Sequence, residues 1–360
     1  VVLSRNPDYW GDGVVPFMNG QANLDEIRME FFADGTAMFE AFKGGLLNTM
    51  RETNVQKWDT QYDFPAVQDG DVIKSIIPHQ RPSGIRGLVM NTRKPIFDDW
   101  RVREALITAF NFEFINQTIN GELQPRITSY FSNSVLGQGA GPATGRVREF
   151  LQPFEAELPP GVLEGYALPE GDGTERNRRN LRTAINLMSE AGWSLDNGVL
   201  KNSDGEPFAF EILLQTGATE TQQIVDLYAS ALERLGAVVT VTTADSAQFK
   251  ERTNAFDFDM TWYVRGLSLS PGNEQMLYWG ADAADTEGSR NWMGMKSPAA
   301  EALIGRLLTS ESRDDFIAAA RALDRVLTAG RYVIPIWHAP IARLAHAKEL
   351  RYPENIPMYG

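Results

Sequence analysis

The chain has no cysteine, three histidines, a deficit of basic residues and no long apolar run. Without cysteine there is no disulfide scaffold, no thiolate-held zinc, no iron–sulfur cluster and no thiol nucleophile. The compartment stays open, because a cysteine-free chain is safe in either redox environment. His79, His338 and His346 show no H-E-x-x-H or other paired metal-ligand spacing. No G-x-S-x-G elbow and no Walker A sequence occur. Gly137, Gly139 and Gly141 lack the G-x-G-x-x-G spacing of a dinucleotide loop, and Pro142 follows them at once. Lys plus Arg number 34 against 47 Asp plus Glu, a net charge of −13. That balance argues against nucleic acid as a partner, and against docking on anionic lipid. No segment reaches the roughly 18 apolar residues of a membrane span. No charged-then-apolar leader opens the chain, so no signal peptide is read in it. Val1-Val2-Leu3 reads as a strand instead, which suggests entry into the middle of a longer protein.

What is present is ordinary globular material. Of 360 residues, 43% are hydrophobic, enough for a sizeable core and about two domains. Helix and strand signals alternate. A helix is expected from Asp34 to Gly45 and a short strand from Leu46 to Met50. Apolar runs at 73–77 and 87–91 read as strands. Val102, Ala105, Leu106, Ala109 and Phe110 fall on one helical stripe, capped by Asp98 or Asp99. Arg101 and Arg103 lie off that stripe and are expected on a solvated face. Residues 120 to 175 are rich in Gly and Pro and read as short helices and loops. Strand, helix and strand over 208–242 form a βαβ unit, so its strands should be parallel with a right-handed crossover. Further helices are expected from Ser297-Pro298 and over 314–329, and closing strands at 332–337 and 341–345. The class is α/β with mixed sheets.

Carboxylate pairs such as Asp98-Asp99, Asp257-x-Asp259 and Asp314-Asp315 arise by chance among 47 acids, and Asp99 and Asp314 are explained as helix starts. Nothing here demands an enzyme, a metal or a cofactor. Aromatic residues beside polar ones stand out instead: Trp58 near Asn54, Trp262-Tyr263 before Arg265, and Trp292 after Asn291. Such platforms serve ligand clefts, although each is equally explained as a core residue.

Several segments carry a resemblance. Asn6-Pro7-Asp8-Tyr9-Trp10 resembles an N-P-x-Y-W turn after a strand. Glu40-Ala41-Phe42-Lys43-Gly44 resembles an A-F-K-x-G helix end. Asn91-Thr92, Pro95-Ile96-Phe97-Asp98 and Val102-Arg103-Glu104-Ala105-Leu106 resemble the signature N-T … P-F-x-D-x-R-V-R-x-A-L. Ala191-Gly192-Trp193, Phe258-Asp259-Met260 and Ser289-Arg290-Asn291 through Gly294 match further motifs. Together they resemble the family 5 extracellular solute-binding proteins of ABC importers. Tyr62-Asp63-Phe64-Pro65, Asp172-Gly173-Thr174 and Pro271-Gly272-Asn273-Glu274-Gln275 are similar to its oligopeptide and microcin C branch.

The resemblance implies a two-lobed, type II periplasmic-binding fold with mixed sheets flanked by helices. It implies a first lobe over 1–95 that lacks part of its structure, a second lobe over 96–336, and a return to the first over 337–360. Crossings are expected near Asn91 and Trp337, and an exposed apolar face or sheet edge within 1–95. It implies capture of a peptide or peptide-like solute in the periplasm and delivery to a membrane permease, by a monomer.

In peptide-binding members an aspartate after the F-D-M strand holds the ligand's amine. The matching stretch, Arg265 to Ser270, contains no acid. Arg265 sits there instead, and a guanidinium favours a carboxylate or phosphate, unless it merely pairs with a surface acid. The expected cleft residues are Glu52, Asn54, Trp58 and Arg86 from the first lobe, and Trp262, Tyr263, Arg265 and Asn291 from the second. The backbone around Arg86 is a candidate for strand addition by a peptide. Two other readings compete. A carboxylate-dependent hydrolase needs two carboxyls across one cleft. A chaperone-like interaction protein needs an exposed apolar patch and no small ligand.

Overall fold

The computed structural model describes residues 1–14, 22–32, 35–122 and 124–356. The helix start expected at Asp34 and the last residues of the tail lie outside these. A hairpin of β1 (Val2–Ser4) and β2 (Glu26–Arg28) opens the chain. Next come α1 (Gly35–Lys43), β3 (Thr49–Glu52), α2 (Val55–Gln61), the single turn α3 (Pro65–Gln68) and β4 (Val72–Pro78). β5 (Ile85–Met90) leads into α4 (Trp100–Ala109) and α5 (Phe112–Asn120). Within the irregular stretch lies α6 (Gly145–Leu151), and after it α7 (Arg178–Glu190), β6 (Ser194–Asp196) and β7 (Val199–Lys201). Then β8 (Ala209–Gln215), α8 (Thr219–Leu235), β9 (Val238–Ala244), α9 (Ser246–Asn254) and β10 (Met260–Arg265) alternate. α10 (Glu274–Trp279), α11 (Ala281–Asp285), α12 (Pro298–Leu308), α13 (Arg313–Ala329), β11 (Val333–Pro335) and β12 (Ile341–Ala347) complete the order.

Two main sheets result. The larger runs β11-β5-β10-β8-β9 and the smaller β3-β12-β4. β8 pairs parallel with β9 from Ala209↔Val238 to Gln215↔Ala244, as the βαβ pattern requires. Strand alternation divides the core in two. Met260 and Trp262 face a cluster built with Leu106, Met188, Ile224 and Leu232 of α4, α7 and α8. Tyr263 faces the other cluster, with Leu303, Ile304, Leu323 and Leu327 of α12 and α13. A small third core, including Phe39, Phe42, Trp58 and Tyr62, covers the smaller sheet.

The helix starts obey capping chemistry. Asp99 accepts from Arg101 N, Ser297 from Ala300 N and Ser312 from Asp315 N. Three expectations shift. The strand expected at Leu46 begins at Thr49, because the turn after Gly45 runs on and leaves Leu46 exposed. Arg103 is buried rather than solvated. It donates to the carbonyls of Phe97, Asp98 and Gly330 and stacks over Tyr332, so its charge ties α4 to the end of α13.

The third shift concerns the crossings. β5 pairs with β10 and β11, so the chain first passes between sheets at 79–84, before the expected Asn91, and returns at 338–340, beside the expected Trp337. Asn91 lies at the far end of β5, fully buried, donating to the carbonyls of Phe256 and Phe258. Since β5 has a neighbour on each side, its backbone cannot accept an added peptide strand.

The apolar face and open edge expected within 1–95 are both there. Val2, Leu3 and Ile27 of the first hairpin are exposed, as are Trp10 and Phe31 beside it and Ile73 and Ile76 on edge strand β4. Among the described residues no helix is long and apolar enough to cross a membrane.

Candidate functional site

A hollow of about 360 Å³ lies between the two sheets. The end of β3, the crossing at 79–84, the end of β10 and the return at 337–343 wall it. β8, β9 and β10 run parallel, so their carboxyl ends point the same way, and the end of β10 meets the hollow. Open α/β sheets place their ligands outside such ends. A larger hollow of about 940 Å³ opens on the flank, between loop 133–136, residues 269–270 and the link from α12 to α13. Among the described residues, none of its lining side chains holds a buried polar atom without a partner. The smaller hollow has many, and this decides between the two.

Its charge is the opposite of the chain's. Five arginines line it: Arg51, Arg81, Arg86, Arg265 and Arg343. His79 and His338 stand with them. The single lining carboxylate, Glu52, is buried and already held: it accepts from Asn54 N at 2.9 Å and Tyr62 Oη at 3.1 Å, and pairs with Lys57 at 3.3 Å. Burial pushes the His79 imidazole below its ordinary value, and the charges of Arg81, His338 and Arg51 push it further. Burial also lowers Arg81, with Arg51 adding to it. These groups feel one another's positive charge.

Strand geometry sends two of the arginines to opposite faces of the larger sheet. Arg86 of β5 lies over the Trp262 ring at 5.7 Å. Arg265, at the end of β10, lies over Tyr263 at 4.4 Å and Trp292 at 5.1 Å, and donates to Val264 O at 2.7 Å. Among the described residues it pairs with no acid. Glu220, in the first turn of α8, has a carboxyl raised by burial; Arg86 opposes that shift and Glu52 reinforces it.

The structure thus brings Glu52, Arg86 and Arg265 to one hollow and puts Trp262 beneath Arg86. The other four expected residues serve the fold. Asn54 caps α2 by accepting from Lys57 N at 2.8 Å. Trp58 is core, packed on Tyr62. Tyr263 is fully buried and donates to Arg290 O at 3.1 Å. Asn291 is fully buried; it donates to Gly280 O and Met295 O and accepts from Met295 N. Sequence reasoning missed Arg51, Arg81, Arg343, His79 and His338. The available signal was Arg81-Pro82-Ser83-Gly84-Ile85-Arg86, a turn-rich stretch with an arginine at each end, in an acidic chain.

Comparison with known proteins agrees with this architecture. A family model described as "Bacterial extracellular solute-binding proteins, family 5 Middle" matches residues 1–287. The protein named "Probable peptide-binding protein YejA" of Agrobacterium fabrum is 40% identical over 365 residues, covering 100% of this chain and 59% of that protein. "Peptidoglycan-binding protein YepA" of the same organism is 37% identical over 368 residues, again with 100% and 59% covered. The chain therefore spans less than two thirds of these relatives. Among solved structures, the oligopeptide-binding protein AppA of Bacillus subtilis, in complex with a nonapeptide, superposes with a TM-score of 0.70. It is 16% identical over 91% of this chain and 58% of that one, a likeness of fold. The fold is the type II periplasmic-binding fold, and the chain belongs to the family 5 bacterial extracellular solute-binding proteins.

Proposed function

We propose that the chain is part of the substrate-binding component of an ABC importer, which captures peptides or peptide-like solutes between two lobes in the periplasm and hands them to a membrane permease. The two lobes in this reading are residues 1–78 with 341–360, and residues 85–337. The observation that carries it is the hollow between the two sheets, walled by both crossings and rich in fixed donors. Pre-formed concave sites with a few convergent polar groups are what small-ligand binding uses. The names of the relatives add peptide and peptidoglycan binding as the class of ligand. Glu52, Arg86 and Arg265 are the sequence-derived residues that contact the ligand in this reading. A hydrolase would need a second carboxyl across the cleft; among the described residues Glu52 is the only acid lining the hollow, and Glu220, whose charge reaches Glu52 and Arg86, does not line it.

The test is native mass spectrometry of the protein with a pooled library of peptides of two to five residues. One peptide retained per chain is the expected result. Retention of none, across the whole library, would sink the reading.

A further inference from the structure

Several donors lining the cleft lack an acceptor. Arg81 Nε, Arg86 Nε, and Arg265 Nε and Nη2 are buried without a hydrogen-bond partner, and so is Trp337 Nε1. A buried donor left unmade costs about 1–3 kcal/mol, more when charged. None of the five lining arginines forms an ion pair within 4.0 Å with a carboxylate among the described residues, in a chain where acids outnumber bases 47 to 34. Elsewhere the same acids are used: Arg252 pairs with Glu211 and Asp257, and Arg331 with Glu104. Placement, not shortage, leaves the cleft arginines open. Glu52 cannot neutralise them, since Lys57, Tyr62 and the Asn54 amide already hold it.

Arg86 and Arg265 are also separated. Arg86 is stacked on one face of the larger sheet and Arg265 on the other, while Arg51 comes from the smaller sheet. Stacked guanidiniums are pre-positioned and offer planar, bidentate donors suited to carboxylate or phosphate. A single anion bound at Arg86 or at Arg265 leaves the other, on the opposite face, without a partner.

We infer that the cleft selects ligands carrying at least two anionic groups, carboxylates or phosphates, rather than peptides at large. This rests on the binding reading above and names its ligand class. Arg51 and Arg265 are specificity-determining residues in it.

The test is titration calorimetry on the whole protein, at low salt, with three probes: Ala-Ala-Ala, Ala-Glu-Asp and Ala-phosphoserine-Ala. At least one anionic peptide should bind 30-fold or more tighter than trialanine, and that advantage should shrink steeply as salt rises. Which of the two binds better distinguishes carboxylate from phosphate recognition. Arg265→Gln and the exposed Arg51→Gln should each lower affinity for that peptide at least tenfold, and by a larger factor than for trialanine. Arg51 is solvent-exposed, and its side chain makes no hydrogen bond or ion pair among the described residues, so its variant keeps the test open if Arg265→Gln unfolds. Equal affinity for all three peptides overturns the inference and leaves peptide binding standing. Binding of none overturns both.

Discussion

At the scale of single residues, the most unusual group outside the cleft is Asp324. It is fully buried in α13 and accepts from Ser129 Oγ, Phe131 N and Gln138 N. Burial nevertheless pushes its carboxyl up to about 6, with those hydrogen bonds opposing. The folded protein therefore holds this proton more tightly than the unfolded chain, whose aspartates titrate near 3.9. Its contribution to stability is fully present below about pH 4 and is lost as pH rises through 6. Relative to Asp324→Asn, the natural protein should lose about 2 kcal/mol of stability between pH 4 and 7. Urea unfolding of both at several pH values checks it; a constant difference would mean the carboxyl is not raised. At this same scale the sequence was only half legible. Glu52, Arg86 and Arg265 could be found because they stand at or near strand ends facing the hollow. Asn54 and Asn291 could not be told from ligand contacts, because an asparagine that satisfies backbone groups has the same signature as one that waits for a ligand. Trp58 and Tyr263 fail for the parallel reason: an aromatic beside polar residues can be core with its polar tip satisfied.

At the scale of elements, the long periodic segments were legible, while short elements such as α2, α9, α10 and the β6–β7 hairpin were not. Periodicity and caps placed α4, α8, α12 and α13, and the βαβ unit fixed parallel pairing of β8 with β9. What periodicity does not carry is sheet membership. β5 looks the same whether it joins the smaller sheet or the larger, and only pairing with β10 and β11 decides it. Gly84 marks that decision. Its φ is +64°, and a Cβ there would lie 2.3 Å from Arg265 O. Both the left-handed backbone and the close approach need glycine. Gly84→Ala should cost at least about 1–2 kcal/mol from the backbone alone, read as a lower urea midpoint. It should also loosen Arg265, whose backbone it contacts, and so weaken ligand binding in calorimetry beyond the change in stability. A variant as stable as the natural protein would show that the turn is not conformationally demanding.

At the scale of the molecule, two surfaces depart from the average. One is the basic cleft in a chain of net charge −13. The other is the apolar face of the first hairpin and β4, where Trp10 and Phe31 are 75% and 80% exposed. Large apolar side chains this exposed are available to apolar partners. An environment-sensitive apolar dye should therefore brighten on the folded protein, and Trp10→Ser with Phe31→Ser should remove at least half of the gain. No brightening at all would mean this face is covered in solution. Composition announced the overall acidity but hid the cleft, because a net count averages over position. Five arginines disappear in a sum of 81 charged residues.

The two crossings at 79–84 and 338–340 run side by side, joined by the hydrogen bond from His79 N to Pro340 O at 3.0 Å. In the proposed two-lobed reading, two adjacent straps are the paired hinges of a door, and a swing of one sheet against the other turns about the line through both. Groups mounted on that line travel least. His79, Arg81 and His338 sit there, whereas Arg51 and Arg265 belong to the swinging leaves. A ligand would thus meet a stationary jamb first, with the leaves free to close on whatever part of it projects.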